Sequence, residues 1–162
     1  MERIPEPDLM DNAEQARAYA ETDFSEAHDA FVSHFKSRFP DFNKGHVLDL
    51  GCGTADVIMR FARTYPGSYI TGVDGAQAML DIALLDIEAN GCAHQIRLHR
   101  CLLPDDSLSS KCFDAVISNS LLHHLNDPLI MWDTIRKCAG QGTPIFVMDL
   151  MRPDSADKSE KL

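Results

Sequence analysis

Gly51 and Gly53 close a short apolar run, Val47-Leu48-Asp49-Leu50, and an acid, Asp74, closes the next run, Ser68 to Val73, about 20 residues beyond the glycines. Residue types in this spacing can hold a nucleoside. Glycine lets the backbone turn sharply and lets a ligand come close where a Cβ would clash, and a strand-end carboxylate can accept from the two ribose hydroxyls. Asp74 can also cap a helix that starts near Ala76, and the two roles are compatible. Cys52, between the glycines, is a candidate ligand contact; it can equally be the small residue that the turn accommodates.

For these residues to meet, the apolar runs must be neighbouring strands and the segments between them helices. After the glycines, Ile58, Phe61, Ala62 and Tyr65 recur at helical spacing. The unpaired N–H groups at the start of that helix then face the crevice outside the strand end, where open α/β sheets bind ligands. A second stripe, Ala76, Met79, Leu80, Ala83, Leu84 and Ile87, ends at Asn90-Gly91. A third strand falls within Ile96 to Leu103, ahead of Pro104, and a fourth runs from Phe113 to Asn119. Asp127-Pro128 starts a helix with Leu129, Trp132 and Ile135 facing inward, and Thr143 to Leu150 reads as a fifth buried strand. Ahead of this unit, Asp11 with Glu14 has the form of a capping box. Ser25 can cap a second helix whose Phe31, Val32, Phe35 and Phe39 pack it on the sheet. The pattern implies an α/β fold: a Rossmann-like doubly wound sheet of about five mostly parallel strands, with helices on both faces.

Four segments, in order, resemble the successive motifs of one family. They are Leu48-Asp49-Leu50-Gly51-Cys52-Gly53-Thr54-Ala55, Gly72-Val73-Asp74-Gly75-Ala76-Gln77-Ala78-Met79-Leu80, Phe113-Asp114-Ala115-Val116-Ile117-Ser118-Asn119 and Leu121-Leu122-His123-His124-Leu125. The family is the class I S-adenosylmethionine (SAM)-dependent methyltransferases of the small-molecule type, and the resemblance covers roughly residues 45 to 153. It implies SAM as cofactor and S-adenosylhomocysteine (SAH) as product. By the same resemblance, Asp49 and the Gly51–Gly53 backbone, with Cys52, hold the methionine end, Asp74 the ribose, and Gly75 with Met79 the adenine side. Met79 can also be a core methionine. Asn119 is placed to reach the methionine end or the acceptor. His123 or His124 would take an acceptor proton, since histidine titrates near neutral pH, with a structural polar role as the alternative. Adjacent residues on a helix or strand tend to point apart. Tyr19 and Phe24 are candidate lid residues. Two departures stand out: Ala55 occupies the place of the family's third glycine, and no acid follows the third strand to meet an adenine amino group.

Composition narrows the function further. A hydrophobic content of 44% with 25% charged residues over 162 residues is that of one folded domain and argues against disorder. The net charge of −10 disfavours nucleic acid, because phosphate binding needs a basic surface. No apolar run approaches the ~20 residues of a membrane span, and an acidic start broken by Pro5 and Pro7 is unlike a secretory leader. A small-molecule acceptor, no membrane or nucleic-acid partner and a cytoplasmic location are the expectations. Five cysteines without C-x-x-C spacing read as reduced thiols, and His28, His34, His46, His94 and His99 are scattered without metal-ligand spacing.

After Asp149-Leu150-Met151-Arg152-Pro153 only a polar stretch, Asp154 to Leu162, remains, so the family's C-terminal antiparallel hairpin has no counterpart. The chain divides into a helical cap (1–44), a SAM-binding domain (45–153) and a polar tail (154–162). An uncovered fifth strand is a hydrophobic edge, which points to a homodimer through Ile145 to Leu150 or to a shortened form of a longer protein. Two other functions stay open. One is binding of SAM or a nucleotide without transfer, as a regulatory subunit; the other is an NAD-type oxidoreductase, which uses a similar glycine turn and strand-end acid.

Overall fold

Along the first strand, β1 (His46–Leu50), Val47 and Leu48 point to opposite faces and both are fully buried, so the sheet must be covered on both sides. The computed structural model describes residues 9–109 and 112–150. Two helices, α1 (Ala13–Glu21) and α2 (Ser25–Arg38), precede β1. Then follow α3 (Asp56–Thr64), β2 (Tyr69–Asp74), α4 (Gln77–Ala89), β3 (Ile96–Arg100), β4 (Ala115–Asn119), a 3-10 turn over Leu122–His124, α5 (Leu129–Cys138) and β5 (Ile145–Met148). The five strands lie in the order β3-β2-β1-β4-β5, and every pair is parallel.

The chain walks outward from β1 to β3, then returns past β1 to β4 and β5. Right-handed crossovers therefore put α3 and α4 on one face and α5 on the other. On the first face Val47, Ile70 and Ile117 pack against Ile58, Phe61, Leu80 and Ile87. The phenylalanine stripe of α2 seals that layer: Phe35 meets Phe61 at 4.9 Å between ring centroids, and Phe31 meets Phe146 of β5 at 5.0 Å. On the second face Leu48, Leu50, Val73 and Val116 pack against Met131, Ile135 and Cys138 of α5. The winding reverses between β1 and β4, which opens a crevice at their carboxyl ends.

Several local expectations give way to tertiary geometry. Asn12, not Asp11, caps α1, accepting from the N–H groups of Glu14 and Gln15; Asp11 reaches across to the Ala78 N–H and to Arg100. Ser25 is the first residue of α2 rather than its cap, and its N–H is held by Asp23. On α5 only Ile135 of the expected trio is buried. Met131, Ile135 and Cys138 set the buried phase, leaving Leu129 and Trp132 64% and 43% exposed. Leu84 lies outside the buried stripe of α4. The fifth strand is shorter than Thr143 to Leu150 and only half-buried, because among the described residues β4 is its sole neighbour. The Pro5–Pro7 segment, the stretch from Met151 to Pro153 and the tail lie outside the described residues. No helix among the described residues is long and apolar enough to cross a membrane.

Candidate functional site

Where β1 ends, Gly51 (φ 78°) and Gly53 (φ 51°) adopt the left-handed backbone that glycine tolerates best. A Cβ at Gly51 would also come within 2.9 Å of the Leu121 Cβ. The turn is stitched to β2: the N–H groups of Gly51 and Cys52 donate to the Val73 carbonyl at 2.8 and 2.9 Å. Gly53 N–H donates to Asp74 Oδ2 at 2.9 Å, and Ala76 N–H donates to Asp74 Oδ1 at 2.8 Å. Asp74 therefore caps the start of α4 and fixes the glycine turn at once, while each of its oxygens keeps acceptor capacity. Burial raises its carboxyl, opposed by those same N–H groups. Ala55, at the third-glycine position, is fully buried and left-handed at φ 68°, a conformation that costs an L-residue about 1–2 kcal/mol.

Beside this turn lies a cavity of about 690 Å³, within the range of small-ligand sites. Gly51, Gly53, Asp74, Gly75 and Met79 line it beside the turn, His123 and His124 line it from beyond β4, and Asn119 borders both this cavity and the recess next to the turn. Tyr19 of α1 and Phe24 line it from the N-terminal side, with their rings 5.0 Å apart. Beyond β3, Cys101, Leu102 and Leu103 give an apolar wall; Asp105 lies outside the lining and instead accepts from Ser107 N–H. Cys52 does not line the main cavity but borders the small recess that adjoins it. Its thiol lies under Gly72 in the α3-side core, and burial pushes its pKa well up.

A small polar recess adjoins the cavity, bounded by Asp49, Thr54, Asn119, Tyr19 and His28. Asp49 is 2% exposed, and its Oδ1 has no hydrogen-bond partner among the described residues. Burial, followed by the nearby Asp74 charge, pushes its carboxyl up to about 8. His28 borders the same recess, and its Nδ1 meets Asp56 Oδ2 at 2.6 Å. Arg60 Nε donates to the same Asp56 oxygen at 2.8 Å, and its Nη1 donates to Asp29 at 2.5 Å. His28 and Arg60 hold the Asp56 carboxyl down to about 2.

At the far end of the cavity, Asp149 Oδ1 meets His123 Nδ1 at 2.7 Å, and its Oδ2 accepts from Leu122 N–H at 2.6 Å. The adjacent histidines do not point apart. The 3-10 turn brings both to the cavity with their ring centroids 4.0 Å apart. Ser120, just before this turn, is left-handed at φ 60°, one of two non-glycine residues with positive φ among those described.

This arrangement of glycine turn, strand-end acid and switch-point cavity coincides with residues 47–142, well over half the chain, which match the family model described as a methyltransferase domain. The chain belongs to the class I SAM-dependent methyltransferases. It is 31% identical over 110 residues to the malonyl-acyl-carrier protein O-methyltransferase of Bacillus cereus, covering 67% of this chain and 38% of that protein. It is 29% identical over 117 residues to the trans-aconitate 2-methyltransferase of Deinococcus radiodurans, covering 70% of this chain and 42% of that one. The chain thus spans less than half the length of either relative. Its fold is shared with a SAM-dependent methyltransferase of Thiobacillus denitrificans solved with SAH, at a TM-score of 0.62 and 18% identity over 81% of this chain and 53% of the other.

Within the methyltransferase domain, the residues that sequence reasoning missed are the partners rather than the principals. His28 was set among the scattered histidines, yet it lines both the cavity and the recess. Asp149 ends the fifth apolar run as Asp74 ends the second, so the strand-end rule could have found it. The pairing of His28 with Asp56, 28 residues on, left no local signal.

Proposed function

We propose that this chain binds SAM at the glycine turn and transfers its methyl group to a small-molecule acceptor held at the β4–β5 end of the cavity. The carrying observation is the group of carboxyls beside the turn. A dinucleotide would lay its pyrophosphate there, but here the buried Asp49 with its unpartnered oxygen, Asp74 and Asp56 all lie close by. Such a site suits a ligand with an ammonium group and a ribose diol and no phosphate, which disfavours the NAD-type alternative. The residues fit that cofactor: the glycine backbone leaves room, and Asp49 Oδ1 lacks a donor.

When bound, the cofactor supplies a methyl carbon already electrophilic on its sulfonium. The chain's task is then to orient the partners and exclude water. Asp49 accepts from the ammonium group, Asp74 from the ribose hydroxyls, and Gly75 and Met79 flank the adenine along the wall of Leu102 and Leu103. Asn119 stands between the methionine end and the acceptor. His123, its Nδ1 tied to Asp149, takes the acceptor proton. Of the cap region, residues 1–44, the part described from residue 9 onward brings Tyr19 and Phe24 to the cavity as its cover. A net charge of −10 and the name of the trans-aconitate relative support a small acceptor over nucleic acid. Free thiols at Cys52, Cys92, Cys101, Cys112 and Cys138 support a reducing, cytoplasmic setting. The half-buried edge of β5, with Ile145 40% exposed, supports pairing of two copies; a monomer by light scattering at high concentration refutes that part.

The test is calorimetric titration of SAH, followed by a screen for SAH release from SAM with a panel of hydroxyl, carboxyl, amine and thiol acceptors. Binding with turnover of one acceptor class supports the reading. Binding without turnover of any assigns the chain to cofactor binding alone, and no binding to the folded chain refutes the site.

A further inference from the structure

Resting on the cofactor reading above, we propose that His28 is the receptor for the methionine carboxylate of the cofactor and that Asp56 positions it. An α-amino acid carries an ammonium group and a carboxylate on one carbon. The polar recess presents a matching pair of walls: the unpartnered, 2% exposed Asp49 at the end of β1, and His28 on α2. His28 is 8% exposed, and it borders both the recess and the main cavity. Its Nδ1 is committed to Asp56 at 2.6 Å, and among the described residues Nε2 makes no hydrogen bond. With Nδ1 so held, Nε2 is the ring nitrogen left to meet whatever occupies the recess, and it donates when both ring nitrogens carry protons.

The surrounding charges keep that side chain in place. Asp56 is the first residue of α3 and receives both His28 and Arg60, while Arg60 returns to Asp29, the neighbour of His28 on α2. This alternating ring ties the N-terminal helix pair to the glycine turn. Besides Asp56, Asp29 and Arg60, the groups close to the recess include Asp49, Asp74 and the Tyr19 hydroxyl, whose pKa is raised by burial and then by Asp74 and Asp56. A nearly buried histidine that did no more than brace α2 on α3 would have no need to border the recess. A bound amino-acid group would instead bridge Asp49 and His28, joining the end of β1 to α2.

The experiment compares SAH, its decarboxylated analogue and 5′-methylthioadenosine, which lacks the amino-acid end, by calorimetry on the full chain. With wild type, the decarboxylated analogue binds roughly tenfold or more weakly than SAH, the scale for a hydrogen bond to a charged group. In His28→Gln the two ligands bind alike and methylthioadenosine is unaffected; Asp56→Asn moves SAH in the same direction, again sparing methylthioadenosine. The proposal is overturned if the analogue matches SAH on wild type, a comparison that needs no variant to fold. It is also overturned if His28→Gln weakens methylthioadenosine as much as SAH. If neither SAH nor methylthioadenosine binds the folded wild-type chain, the cofactor reading itself fails and this proposal goes with it.

Discussion

The two ends of the cavity are built differently. The glycine-turn end takes its polar groups from consecutive backbone at the ends of β1 and β2, each fixed by hydrogen bonds to the next strand. The β4–β5 end takes Leu121 and Leu125 from the 3-10 turn after β4 and Leu150 from the end of β5, with His123 and Asp149 as its polar pair. The difference teaches which part of a transferase is tied to the fold. A common cofactor can be met by groups on strand ends, where the sheet sets position. An acceptor is met by loop side chains, whose identity can change without disturbing the sheet.

The largest expected effect tests whether the two ends act separately. His123→Gln should lower the transfer rate about 10²–10⁴-fold at saturating cofactor, measured as SAH formed in a single turnover, with calorimetric SAH affinity unchanged. A parallel loss of affinity would merge the two ends into one unit. Next, Asp74→Ala should weaken SAH by about 1–3 kcal/mol, because a buried acceptor is removed and the N–H groups of Gly53 and Ala76 lose their partner. Asp74→Asn, which keeps an acceptor, should lose less.

Asp49→Asn sets function against stability within the glycine end itself. The folded Asp49 carboxyl titrates at about 8, against an unfolded value of about 3.9. Between those pH values the folded chain holds a proton that the unfolded chain has released. Ligand-free stability from this group therefore falls as pH rises from 4 to 8. The substitution should flatten that fall and raise stability at pH 8 by about 1–3 kcal/mol in denaturant titration, while weakening SAH. In wild type, a cationic amino group favours the ionised carboxyl, so SAH affinity should strengthen as pH climbs toward 8. The smallest effect belongs to the turn's backbone: Ala55→Gly should stabilise the fold by about 1 kcal/mol, read as a rise of a few degrees in the thermal midpoint, by relieving the φ of 68°.

What could be read from residues in order was whatever depends on local period and strand-end chemistry. Alternation and helical spacing in Val47 to Tyr65 and Ser68 to Ile87 located β1, α3, β2 and α4, and the spacing from Gly53 to Asp74 brought them to one cavity. The phase of α5 was misjudged at Trp132 because a helix with apolar residues on several sides is oriented only by the sheet beneath it. Asp11 and Ser25 failed as caps for a similar reason: their groups found better partners, Asp11 on α4 and Arg100, and Ser25 on Asp23.

The linear order of residues thus determined the α/β class, the glycine turn and the acid that faces it, because these depend on neighbours within a few tens of residues. Only the tertiary structure decided that Asp49 is left without a donor, that His28 meets Asp56 across the recess, and that Asp149 holds His123 beside His124. Those facts depend on which face each element buries and on what burial costs a charge, and both are settled only when the layers close around the sheet.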